Sequence, residues 1–92
     1  MSFNIDINGL QKLQRELEEA ARAIGSLNGP IANLSVDPNN PSAAIREMEL
    51  AVDRKAAPYA GNTLVSKLVR DMKKTLRERI LERARTAKKS ES

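Results

Sequence analysis

Leu10, Leu13, Leu17, Ala20, Ile24 and Leu27 follow one another at intervals of 3, 4, 3, 4 and 3, and this pattern constrains the 92-residue chain more than any other feature. An apolar residue every three or four positions draws a narrow stripe along one helix, and the stripe must be covered by another helix or by a second chain. Lys12 and Glu16, and Glu18 and Arg22, stand four apart on the outer faces. Such pairs add roughly 0.2 to 0.5 kcal/mol each. Asn28-Gly29-Pro30 predicts the stop, with Gly29 able to take the left-handed conformation of a helix C-terminus and Pro30 unable to continue the helix.

Before this helix, Phe3, Ile5 and Ile7 alternate with Asn4 and Asp6, which permits a short strand or an extended arm. After it, the stretch 31–40 is poor in charge and contains Asp37-Pro38-Asn39-Asn40-Pro41, so it reads as an ordered connector anchored by Ile31, Leu34 and Val36. Asn40 is a good N-cap and Pro41 a good first helical residue. The second helix then has Ala44, Ile45, Met48, Ala51 and Val52 on its inner face, and Pro58 ends it near Ala56 or Ala57. A third helix, capped by Asn62 or Thr63, carries Leu64, Val65, Leu68, Val69, Met72, Leu76, Ile80 and Ala84. From Leu68 onward its apolar residues advance in fours, so the stripe winds around the helix.

The expected fold is mainly α, a small three-helix bundle near 9–27, 41–57 and 63–85 with a short N-terminal extended segment. Residues 1–85 form one helical domain and 86–92 a disordered basic tail, because nothing larger than Ala is apolar there. Leu, Ile, Val and Phe number 10, 6, 4 and 1, so 21 of 92 residues must build the core. That lies just above the roughly one-fifth at which chains tend to stay unfolded. The core is thin, and the three-heptad stripe is hard to cover within one chain, so a homodimer is expected, with Leu10, Leu13, Leu17, Ile24 and Leu27 as the interface or the monomer core.

The chain has no Cys and no His. It therefore lacks imidazole and thiolate zinc ligands, disulfides, a cysteine nucleophile and any side chain that ordinarily titrates near neutral pH. Gly61-Asn62-Thr63-Leu64-Val65-Ser66-Lys67 departs from a phosphate loop, which needs Gly before the Lys and Ser or Thr after it. Counting Asp37 as the first position of a calcium loop puts Ser42 where the turn glycine belongs and Met48 where the bidentate Glu belongs. The helical carboxylates Glu16, Glu18, Glu19, Glu47, Glu49, Asp53, Asp71, Glu78 and Glu82 all sit among charged neighbours, whereas an acid catalyst needs an apolar pocket. Tyr59 reads as a plug over a helix end. No enzyme activity, cofactor, metal or small-molecule substrate is expected.

Charge is unevenly placed. Residues 1–66 hold 6 basic and 8 acidic side chains, and residues 67–92 hold 10 basic and 4 acidic, which makes the C-terminal part the source of the formal +4. Lys67, Arg70, Lys73, Lys74 and Arg77 recur at helical spacing and are the candidate contacts for an anion or nucleic acid. A solvated helix exterior is the competing explanation, since aromatic residues for base stacking are missing and Asp71, Glu78 and Glu82 interrupt the run. The order of helix, Pro58–Asn62 turn and helix matches a helix-turn-helix. However, the N-terminal turn that would read bases holds Thr63, Leu64, Val65 and Ser66, so binding is expected to be weak and indifferent to sequence.

Ile5-Asp6-Ile7-Asn8-Gly9-Leu10-Gln11-Lys12-Leu13-Gln14-Arg15-Glu16-Leu17 resembles the start of many small phage and prophage proteins, tail components among them. The segment from Val36-Asp37-Pro38 through Ile80-Leu81-Glu82-Arg83-Ala84 is similar to uncharacterised proteins of phages and integrative elements. The Asp-Thr-Gly stretch of tail components is missing, and no site residue carries over. The Leu10 to Leu27 stripe in a chain with little core predicts a non-enzymatic helical interaction protein, and the resemblance implies a phage or mobile-element origin, in virion assembly or in binding a host protein. Sequence-nonspecific nucleic-acid binding is the alternative. No stretch approaches the roughly 18 apolar residues of a membrane span, and 1–7 lacks a secretory start, so a cytoplasmic location in a bacterial host, or association with a virion, is expected.

Overall fold

The computed structural model describes residues 7–91, with side chains over 9–89. Its elements are α1 (Ile7–Gly25), the five-residue α2 (Asn28–Ala32), α3 (Pro41–Ala56), a 3-10 turn (Ala57–Tyr59) and α4 (Thr63–Glu91). The three long helices form a mainly α bundle with no strand among the described residues. The expected extended segment falls on residues outside the described part, except for Ile7, which is already helical.

Cross-helix contacts give the directions. Lys73 pairs with Asp53 and Arg77 with Glu49, so moving four residues forward on α4 means moving four back on α3, and the two run antiparallel. This side-by-side register is not the steep crossing of a helix-turn-helix. Asn62 bonds to Leu13, and Arg83 bonds to the carbonyl of Ile31, so the chain from α1 to α2 advances in the same direction as α4, and α1 runs parallel to it. Because Leu13 is level with the start of α4, Gly9 and Leu10 lie beside the Pro58–Asn62 turn.

The core is built from Ile24, Leu27, Ile31, Ala44, Met48, Val52, Leu76 and Ile80, with Leu34, Val36, Ile45, Ala51, Leu68, Val69 and Met72 packed around it. Every α3 residue expected to face inward does so, with Ala44, Met48 and Val52 fully inside. Leu34 and Val36 anchor the connector as expected, and Asp37 closes its turn by accepting the Asn39 amide at 2.9 Å.

Three local expectations need correction. Asn28-Gly29-Pro30 is not a stop: α1 ends earlier, at Gly25, and Asn28 to Pro30 lie inside α2. A proline in a first helical turn costs little, since the missing amide has no acceptor there, and burial of Leu27 and Ile31 holds α2 on the bundle. The left-handed glycine is Gly61, at φ +92°, in the turn before α4. A side chain at 61 would meet no atom within 4 Å, so its cost would be backbone strain alone. Finally, α4 does not end near Ala84 but continues to Glu91 through most of the expected tail, with Lys88 and Lys89 in its last turn, where cations suit the helix dipole.

Candidate functional site

Asn62 is the one buried polar side chain among the described residues, at 3% exposure. Its Oδ1 accepts the amides of Leu64 at 2.9 Å and Val65 at 3.2 Å, which caps α4. Its Nδ2 donates to the Leu13 carbonyl at 3.2 Å and to Glu16 Oε1 at 3.0 Å. The sequence foretold the cap but not the tie to α1, which spans 49 and 46 positions. Asn40, by contrast, precedes α3 without a side-chain cap bond, and Pro41 alone marks that start.

Around this tie lies an open groove of about 710 Å³, lined by Leu10 and Leu13 from α1 and by Pro58, Tyr59 and Ala60 from the turn, with Lys12 and Glu16 at its rim. The α1 stripe divides here. Ala20, Ile24 and Leu27 are buried in the monomer, Leu13 and Leu17 are half-buried, and Leu10 is 49% exposed. Thus Ile24 and Leu27, expected as interface or core, close the monomer core, while Leu10, Leu13 and Leu17 leave an apolar edge open.

Tyr59 lies half-buried against α1, its hydroxyl donating to Glu19 Oε1 at 3.4 Å. Partial burial, and then the Glu19 carboxylate, push its ionisation above the ordinary tyrosine value, because both disfavour a phenolate. A phenol whose pKa is raised by folding stabilises the fold below its unfolded pKa and loses that contribution as pH rises through the folded value. Absorbance titration should therefore place phenolate formation above pH 10, the usual midpoint. Glu19→Gln should bring it part of the way back, and an unmoved midpoint would remove Glu19 as a cause.

The five candidate cations are not equivalent. Arg70, Lys73, Lys74 and Arg77 line one shallow groove of about 440 Å³ on α4 with Ser66 and Val69, and Lys67 lies exposed outside it. Lys73 Nζ is 2.7 Å from Asp53 Oδ1, and Arg77 donates to Glu49 Oε2 at 3.0 Å, so two of the five are already engaged with α3. Both pairs are open to solvent and hold register more than they stabilise. Arg83, grouped by sequence with the basic array, instead donates to the carbonyls of Ile31 and Leu34 and fastens α2 and the connector to α4. Nothing in the sequence singles out Arg83 for this, since its acceptors are backbone atoms 52 and 49 residues away. Among the described residues no group of three or more carboxylates gathers to hold a metal, and no helix is long and apolar enough to cross a membrane.

A family model described as YuaX matches residues 7–91, from the first residue of α1 to the last of α4. The chain belongs to the YuaX family. Uncharacterized protein YuaX of Escherichia coli (strain K12) is 41% identical over 85 residues, a match that covers 89% of this chain and 88% of that protein. No solved structure matches this YuaX-family chain significantly.

Proposed function

We propose that this YuaX-family chain is a non-enzymatic helical interaction module that associates with a second copy of itself through the first half of α1. One observation carries this reading: the regular stripe continues onto Leu17 and Leu13, which the monomer covers only in part, and Leu10, which it leaves exposed. A stripe with this spacing packs best against another of its kind. An antiparallel second copy that sets Leu13 against its Leu17 would continue the stripe across the two-fold axis. Carboxylates beside candidate surfaces hold the fold or its register: Glu16 bonds to Asn62, and Glu49 and Asp53 pair with α4. Action by contact fits this arrangement. The setting, virion assembly or capture of a host protein, rests on the resemblance of residues 5–17 to phage proteins, and a cytoplasmic or virion-associated location belongs to the same proposal.

Light scattering at about 10 to 100 μM, the range of a modest interface, should give twice the monomer mass. Leu10→Glu should return the monomer mass with helicity unchanged. A monomer in the unaltered chain, or a dimer indifferent to Leu10→Glu, would refute the interface.

A further inference from the structure

We propose that the solvent-facing strip of α4 is a contact surface for the phosphate backbone of double-stranded nucleic acid. Positions 67, 70, 74, 77, 81, 85 and 88 advance by 3, 4, 3, 4, 4 and 3 and hold Lys, Arg, Lys, Arg, Leu, Arg and Lys. At 3.6 residues per turn these positions stack along the side opposite Val65, Leu76 and Ile80. All six cations are exposed, and Leu81 is half-buried. No carboxylate lies on the strip. Asp71, Glu78 and Glu82 fall on its flank, although α4 alternates sign freely in sequence.

The continuation of the helix to Glu91 matters here, because it places Arg85 and Lys88 in line with Lys67, Arg70, Lys74 and Arg77 on one rod. The ladder runs for about 32 Å at 1.5 Å per residue, which matches roughly nine or ten base-pair steps of 3.4 Å. Salt bridges from α3 to Lys73 and Arg77 fix the rod's orientation and Arg85 pairs with Glu82 at 2.7 Å, while Lys67, Arg70 and Lys74 have no carboxylate partner among the residues with described side chains.

The chemistry of the strip selects the partner. A protein interface has an apolar centre depleted in charge, whereas only Leu81 is apolar here. Single strands are held by stacking on aromatic rings, and α4 has none. Phosphates of a duplex require charge and reach alone, without reading sequence. This surface is separate from the α1 edge, so it can be tested in the Leu10→Glu background whatever the oligomeric state.

The test is fluorescence anisotropy of a labelled duplex of about 20 base pairs, twice the ladder's length, against the full chain. At about 50 mM salt the dissociation constant should lie at or below the roughly 10⁻⁴ to 10⁻⁶ M of nonspecific binders, and a scrambled duplex should bind equally. Lys67→Gln, Arg70→Gln and Lys74→Gln together should weaken binding at least about tenfold. They should also lower the slope of log affinity against log salt by about 2.7, at 0.9 per lost phosphate contact. Circular dichroism should be unchanged. Arg79→Gln, off the strip, should leave affinity as it was. Absence of binding at low salt, an unaffected triple variant, stronger binding to single strands, or equal competition by poly-glutamate would each overturn the proposal.

Discussion

Ile80→Ala is expected to remove about 4 kcal/mol of stability, the largest effect of any single substitution considered. Ile80 has no exposed surface and belongs to the same cluster as Ile24, Met48 and Leu76, so all three long helices feel its loss. The change deletes three carbons, worth about 0.8 kcal/mol each by transfer. A cavity term adds to this, because neighbours held on three helices cannot all collapse inward. A domain of this size has only about 5 to 15 kcal/mol in total, and its apolar inventory leaves little reserve. Urea unfolding at one fixed protein concentration, needed because association itself stabilises, should show the midpoint fall with little change in slope. Leu10→Ala, outside that cluster, should cost under about 0.5 kcal/mol in the monomer. Equal costs for the two substitutions would contradict the packing described above.

The second large effect is expected at Asn62. Alanine there deletes a helix cap worth about 1 kcal/mol, and it leaves the Leu13 carbonyl and the Glu16 carboxylate without the amide that bonded to them, at about 1 to 3 kcal/mol more. A total near 3 kcal/mol follows from those ranges. Asn62→Asp separates the two halves of the contact. It keeps the acceptor for Leu64 and Val65 but loses both donated bonds and turns a carboxylate toward Glu16 and the Leu13 carbonyl. The aspartate variant should therefore be strongly destabilised at neutral pH. Chemical denaturation at pH 7 compares it with the original. An aspartate variant as stable as the original at pH 7 would mean that the tie to α1 contributes nothing and only the cap matters.

The helical content and the inner faces were legible because they depend on local periodicity. Pro41 and Pro58 bound α3, Ala44, Met48 and Val52 mark its buried side, and Asn62 caps α4 with atoms two and three residues away. The charge imbalance and the helical spacing of Lys67, Arg70, Lys74 and Arg77 were legible in the same way, since a helix converts spacing directly into a face, whereas Arg85 and Lys88 joined that face only because α4 runs on to Glu91. The behaviour of Asn28-Gly29-Pro30 was not. Gly and Pro there permit a stop, yet burial of Leu27 and Ile31 on α4 made one more helical turn the better solution. The end of α4 was not legible either, because apolar content says how far packing extends, not how far a helix with C-terminal lysines can run on.

Composition and spacing by themselves determined that this chain is a thin-cored helical protein without thiol or imidazole chemistry, with one regular apolar stripe and one basic helix. Tertiary structure alone decided where the stripe is closed and where it is left open, because only the parallel register of α1 with α4 places Leu13 level with Asn62 and Leu10 beside the open Pro58–Asn62 turn. It also decided which cations stay available. Asp53 and Glu49 reach Lys73 and Arg77, and backbone carbonyls take Arg83, through contacts between residues 20 to 52 positions apart, and no local pattern encodes such contacts.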